Sequence, residues 1–505
     1  MPKKTLFFRP DGQPRLLVQR VLFYPNKVVR KPFRRIVIRK NGLVRPLFRK
    51  WVASSYGSTD VGVDIAAEEA VIPKMAVLQS LVTLEENAAA WHHNKVPEVQ
   101  LSSDEMLRFM LQAKEKGIIL SLGHDNYTKI QGGVQLCIRR EVQLAVQRGV
   151  KYLNLHPWQP YPRLAHLKDD PDPFVALVLD GSSLGACRMS HFTAAAREAA
   201  QQDIKFNVTM HQLLGHNTEL VTELVKASQA KNVLFWLHDY FSLCPNQRLT
   251  RNNMAFCNAP DVSSNSCSLC IYGTERPSHM ERMGALFEAL CPTVVSPSEV
   301  TLETWSDRTN YTSGPKIILP HITLGWQPRL NQGSSKANGK IRVGFLGTAE
   351  PFKGWLEFER LSATPELAMQ FEFFALTASK VSFNGTKVAV QVTEENPNAM
   401  AKAVEAQELD IVLHWPDCPE TFALTAFEAL EGGAYLVTNS ASGNVAAAVQ
   451  SLNRGVVLSD EGRLAEFFIN GGARDLAQAA RQNRAQNSVN RQHSALSLAL
   501  FEDMN

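Results

Sequence analysis

Residues 417–433 read DCPETFALTAFEALEGG and follow a short apolar run, IVLH at 411–414. Pro419 keeps its predecessor out of helix, so Glu420 falls in a loop after a strand. From Phe422 the spacing predicts a helix that ends at Gly432 and Gly433, with Glu428 about two turns inside it. The backbone N–H groups near Phe422, Ala423 and Leu424 then lie at a helix N-terminus, where phosphate is favoured. One carboxylate is placed to hydrogen-bond a sugar and the other to take ribose hydroxyls, with a diphosphate between them.

Working outward, short apolar runs alternate with helical spacing. They fall at 117–122, 150–155, 174–179, 206–210, 233–237 and 293–295, then again at 341–346, 371–374, 388–392, 411–414 and 434–437. That alternation predicts βα units and parallel sheets. Between the two series lies a polar stretch, RLNQGSSKANGK at 329–340, with linker composition. The expected organisation is a basic repeat arm at 1–52, a helical connector at 53–114 with a capping box at Ser102 to Glu105, and an N-terminal Rossmann-like domain at 115–328. The linker, a C-terminal Rossmann-like domain at 341–475 and a C-terminal helix at 476–505 follow. Two doubly wound α/β halves place a ligand in the cleft outside the carboxyl ends of their strands.

Several loops add to 417–428, in a fixed order. They are QGGV at 131–134, LHDYFSLCP at 237–245, SPSE at 296–299, LPHI at 319–322, FLGTAEPFKG at 345–354 and NSASGN at 439–444. Together, over about 115–470, they resemble the retaining GT-B glycosyltransferases with an E-x7-E motif, the large family often numbered four. The His-Asp-Tyr…Cys-Pro loop resembles a subgroup associated with bacterial surface polysaccharides. The resemblance implies that Gly347 lets backbone approach the donor, that Lys353 neutralises its diphosphate, and that Glu420 and His238 position its sugar. Phe422, Ala423, Leu424 and Glu428 would complete the donor site, the last on the ribose. Gly132, Gly133, His211 and Asp239 would form the acceptor or phosphate loops. It also implies that no divalent ion is required for catalysis, and no Asp-x-Asp loop is evident. The sequence departs from the family twice: no Arg precedes the Lys-Gly pair in GTAE at 347–350, and Ala423 stands where glycine is usual. A non-catalytic scaffold that binds a sugar nucleotide or an anionic polymer is the competing reading.

His238 has the alternative of a hydrogen-bonded structural loop residue, and so have His211 and His216. Cys244, Cys257, Cys267 and Cys270 form C-x12-C-x9-C-x2-C, half of the chain's eight cysteines. A Cys-x2-Cys knuckle suits tetrahedral zinc, with reduced, metal-free thiols as the alternative. Cys137, Cys187, Cys291 and Cys418 are isolated and read as packing residues.

The chain has 505 residues, 45% hydrophobic and 20% charged, which is globular usage with material for more than one core. No window holds the roughly 18–20 apolar residues of a spanning helix. Met1-Pro-Lys-Lys is not followed by an apolar signal region, so the expected compartment is the cytoplasm. Residues 1–52 carry 15 Lys and Arg against Asp11 alone; with +4 overall, the remainder stands at −10. Three 15-residue blocks, 7–21, 22–36 and 37–51, repeat in register, with Asp11, Asn26 and Asn41 aligned and Arg15, Arg30 and Arg45 aligned. Units this small must stack to bury an apolar face. The arm reads as a surface for an anionic membrane or polymer, with a structural cap as the alternative; nucleic acid is not expected, because no binding-module motif accompanies the charge. The expected partners are a nucleotide-sugar donor and a glycan or lipid-linked acceptor at the inner face of the membrane.

Overall fold

The structure, a computed structural model, describes residues 96–159, 161–329, 339–393 and 396–501. The repeat arm, most of the connector and most of the linker lie outside the described residues. The described residues other than 252–254 belong to one compact unit.

Two sheets organise it. The first holds eight strands in the spatial order Lys316–Ile318, Thr293–Ser296, Asn232–Trp236, Phe206–Met210, Ile118–Leu122, Lys151–Pro157, Phe174–Leu179 and Ser182–Arg188. The second holds six, in the order Thr386–Val388, Phe371–Leu376, Ile341–Leu346, Ile411–His414, Tyr435–Asn439 and Gly455–Leu458, all parallel. In chain sequence the second order is 3-2-1-4-5-6, the Rossmann arrangement, whose direction reverses between Ile341–Leu346 and Ile411–His414. The first sheet reverses between Ile118–Leu122 and Phe206–Met210. The fold class is therefore the expected one: α/β of the GT-B kind, with two Rossmann-like domains facing a cleft.

The strands read as unbroken apolar runs because both faces of each sheet are covered. In the first sheet Ile118, Leu120 and Leu122 pack into one core and Ile119 into the other. In the second, Ile411 and Leu413 face one core and Val412 the opposite one.

The structure corrects four expectations. The first sheet is not wholly parallel: Phe174–Leu179 pairs antiparallel with both neighbours, and Asp180-Gly181 makes the two-residue hairpin turn into Ser182–Arg188. The strand expected at 388–392 forms as Thr386–Val388. Within the stretch read as a connector, helix Ser103–Leu111 starts on its Ser102/Glu105 capping box and buries Met106 and Met110 in the first domain's core. The C-terminal helix is shorter than expected. Gly472–Gln486 is helical, but Asn487–His493 is a strand antiparallel to Ile322–Pro328. Leu496, Leu498 and Phe501 then pack into the first domain's core with Trp236 and Tyr152. The chain thus crosses back: the polar residues 487–493 are held by pairing with Ile322–Pro328, and the apolar residues after them need a core.

Asp410, 1% exposed, fixes that last helix to the second sheet. It accepts from Arg481 Nη2 at 2.7 Å, from Arg484 Nη2 at 2.9 Å and from the Arg342 backbone N–H at 3.1 Å. Removing the shared carboxylate strands two cations. Asp410→Ala should lower unfolding stability by about 3 kcal/mol, read by chemical denaturation; a loss under ~1 kcal/mol would show that the arginines re-solvate freely.

Candidate functional site

Both switch points open on one cleft. From the second sheet, Gly347 ends the strand Ile341–Leu346, and Pro351–Lys353 forms a single 3-10 turn. Glu420 follows the strand Ile411–His414. Its backbone pairs with the loop before helix Asn444–Leu452: Glu420 N–H donates to Ser442 O at 3.2 Å, and Asn444 N–H to Glu420 O at 3.0 Å. Gly443 permits this approach; a Cβ there would lie 2.7 Å from Glu420 O.

Lys353 Nζ reaches Glu420 Oε1 at 2.5 Å. Burial alone would raise the Glu420 carboxyl; the Lys353 charge, the Lys353 hydrogen bond and Arg248 outweigh it and hold the carboxyl below its usual range. His414 stands 3.9 Å from Glu420. Burial pushes its imidazole down to about 4, so at neutral pH the contact is not an ion pair. Ala423 caps helix Leu424–Glu431 with φ 64°, a left-handed conformation that strains an L side chain and explains why glycine is the easier residue there.

The first domain grips this loop. Thr421 Oγ1 donates to His238 O at 2.7 Å, while Ser298 and Thr301 hydroxyls donate to Thr421 O at 2.8 and 3.2 Å. Phe422 packs on His321, whose ring also lies against Trp236 and His238. Gly132 and Gly133 open helix Gly133–Gln147 at the same cleft, where the preceding Gln131 donates to Val392 O at 3.3 Å.

His238 is held as part of a chain. Its Nε2 lies 2.9 Å from His211 Nδ1, and His211 Nε2 lies 3.1 Å from Glu141 Oε2. Burial would raise the Glu141 carboxyl, but His211 and hydrogen bonds from Ser497 hold it low. Burial, with His211, His321 and His124 nearby, keeps His238 well below its ordinary value and hence neutral. When His211 carries a single proton directed at Glu141, its Nδ1 accepts from His238 Nε2–H, and His238 keeps Nδ1 as an acceptor. Cys137 brings its sulfur within 4.8 Å of ring nitrogens of His238 and His321, and burial drives its thiol well up, so it remains protonated.

Three of the residues singled out in the sequence have partners within the protein. Both Asp239 oxygens are engaged within the protein, by Gln212 and by Phe241 N–H, and burial pushes its carboxyl up to about 7. His216 is buried with Nε2 on Gly123 O at 2.6 Å, which makes it structural. Glu428 is 6% exposed beside Arg491, 3.8 Å away. The four cysteines lie outside this cluster and line one cavity of their own.

Sequence reasoning missed Glu141, His321 and Arg248. Arg248, in the loop after the Cys-Pro pair, lies 4.1 Å over the Phe352 ring, against which Lys353 also rests at 5.4 Å. It supplies from the first domain a cation beside Glu420, where the Lys-Gly loop lacks one. No spacing rule marks a lone loop arginine.

Burial raises Glu428 from an ordinary 4.5 to about 7, opposed by Arg491 and assisted by Glu431. A raised folded-state value means that its contribution is full below the unfolded value and is lost as pH rises through about 7. Glu428→Gln should therefore reduce the fall in stability between about pH 5 and 8 by roughly 1–3 kcal/mol. Asp239 titrates in the same window, so some slope remains. Thermal unfolding across that range checks it, and an unaltered pH profile overturns it.

No protein-family model matches the chain, and no curated protein does. Among solved structures it is similar to Anabaena HepE in complex with UDP-glucose, at 12% identity and TM-score 0.43, over 73% of this chain and 94% of that one. It is similar to sucrose-phosphate synthase from Thermosynechococcus elongatus at 14% identity and TM-score 0.43, again over 73% and 94%. It is similar also to WaaG, a glycosyltransferase involved in lipopolysaccharide biosynthesis, at 13% identity and TM-score 0.41, over 72% and 93%.

Proposed function

We propose that the chain is a retaining glycosyltransferase that moves a sugar from a nucleotide-sugar donor to a glycan or lipid-linked polysaccharide acceptor. The observation that carries this reading is the meeting of Lys353, Arg248 and Glu420 beside the N-terminus of helix Leu424–Glu431. Breaking the anomeric C–O bond leaves negative charge on the diphosphate and positive character on the sugar. Preorganised cations and amide dipoles favour the first, and Glu420 with His238 orients the second. When the diphosphate arrives, Lys353 turns part of its charge from Glu420 to phosphate. The acceptor hydroxyl attacks on the face the diphosphate leaves, and the leaving phosphate takes the proton. Glu428 anchors the ribose in this reading, and no catalytic metal is invoked.

A non-catalytic scaffold is the second reading, favoured by the same contact, since Glu420 already neutralises Lys353. Thermal shift with UDP-, GDP-, dTDP- and ADP-sugars tests donor binding. A donor at 100 times its dissociation constant should stabilise the fold by about 2.7 kcal/mol. Lys353→Ala and Arg248→Ala should each weaken it about tenfold or more, the scale of a charged hydrogen bond. No shift with any donor overturns the proposal; binding without release of free nucleotide when acceptors are present selects the scaffold.

Residues 1–52 supply the contact with an anionic bilayer on the cytoplasmic side, where each Lys or Arg near the surface contributes on the order of 1 kcal/mol. Among the described residues no helix is long and apolar enough to cross a membrane. Deleting 1–52 should abolish salt-sensitive sedimentation with phosphatidylserine vesicles, and unchanged sedimentation overturns this role.

A further inference from the structure

Cys244, Cys257, Cys267 and Cys270 are spread over 27 residues of irregular chain, yet all four line a single cavity. Cys244 and Cys267 are 7% exposed, the other two are half-buried, and none is in a disulfide. The short helix Asn265–Ser268, capped by Ser264, sets Cys267 and Cys270 on one tight turn, closed by Cys270 N–H to Cys267 O at 2.9 Å. Gly273 closes over it so tightly that a Cβ would fall 1.7 Å from Cys267 O.

We propose that these four thiols form a structural zinc site that fastens the loop carrying Arg248. The set is right for the ion: four soft sulfur donors, two of them in a Cys-x2-Cys turn, match tetrahedral zinc. Two further observations point to a ligand here. Arg276 is 3% exposed and aims its guanidinium into the cavity, donating to Leu243 O at 3.0 Å, to Pro260 O at 2.5 Å and to Cys267 Sγ at 2.9 Å. Asp261, the carboxylate that senses this charge, lies at the surface. A zinc tetrathiolate carries a net charge of about −2, the compensation a buried cation requires. The backbone around the cavity is also strained, with φ of 52° at Leu249, 54° at Asn258 and 40° at Ala259. Non-glycine residues persist in that region when their surroundings over-determine them.

Cys257 turns its thiol to Leu249 O at 3.0 Å, and Cys267 turns to Arg276. Zinc binding requires both side chains to turn from these partners toward the cavity. Binding forms four Zn–S bonds and breaks four S–H bonds; the protons pass to solvent, and neither zinc nor sulfur changes oxidation state.

The consequence lies in the loop between the first two ligands. Gln247 O accepts from Tyr240 N–H at 2.9 Å beside His238 and Asp239, and Arg248 crosses to Phe352. Fixing Cys244 and Cys257 to one ion clamps both ends of that span.

Elemental analysis of the full chain, purified without chelator from zinc-supplemented medium, should give about one zinc per chain. Replacement by cobalt should give a thiolate-to-cobalt absorption band. The paired substitution Cys267→Ser and Cys270→Ser should lose both signals, whereas Cys291→Ser, at an exposed cysteine outside the cluster, should keep them. X-ray absorption on the unmutated chain should show four sulfurs at about 2.3 Å, which keeps the test decisive where the paired variant does not fold. Absence of zinc and of the cobalt band, iron in place of zinc, a Cys267–Cys270 disulfide, or zinc retained by the paired variant each overturns the site. Zinc content does not depend on donor binding, so this proposal and the glycosyltransferase reading fail separately.

Discussion

A carboxylate buried at a domain boundary must be kept charged by its neighbours, and that requirement at Glu420 organises the cleft. Burial favours the neutral acid, so Lys353 from the same domain, with Arg248 from the other, holds it ionised. The loop that carries it has little helix or sheet of its own. Gly443 supports it from behind, and the first domain supports it in front through Thr421. The domain contact and the site geometry are therefore one set of hydrogen bonds. Loosening Thr421 moves both Glu420 and the carbonyl of His238.

The sheets explain why the chemistry gathers there. In each domain the strand order reverses once, and the loops leaving either side of the reversal diverge to leave a crevice. Gly347 and Glu420 leave the second sheet at its reversal; His211 and the loop leading to Gly132 leave the first at its own. Neither group has a reason to be near the other until the two domains face.

Much of this was legible before any coordinates. Buried parallel strands advertise themselves as unbroken apolar runs, so Ile411–His414 and Phe206–Met210 were found to the residue. Local chemistry was legible too: the Ser102 capping box formed as written, and Glu420 fell in the loop that Pro419 imposes. Polar strands were not legible. Asn487–His493 has no apolar alternation and earns its place only by pairing with Ile322–Pro328, a partner 165 residues away in register. Arg248 and Glu141 were invisible for a related reason. Their roles depend on what another domain or a distant strand presents, and single-sequence spacing carries no record of that. Glu428 differs: its position in the helix was right, but Arg491 beside it comes from the strand that was missed.

That strand also joins the parts of the molecule that matter. After pairing beside the second domain, the chain returns to the first, where Ser497 N–H donates to Glu141 Oε1 at 2.9 Å and its hydroxyl meets Trp236 Nε1 at 2.8 Å. Glu141 in turn orients His211, and His211 orients His238. Arg491, a few residues earlier, contacts Glu428 and Glu431. One short C-terminal segment thus touches Glu428 of one domain and the histidine chain of the other. Any opening of the cleft must either stretch this segment or carry it along. The ladder between Ile322–Pro328 and Asn487–His493 resists independent movement of the two crossings.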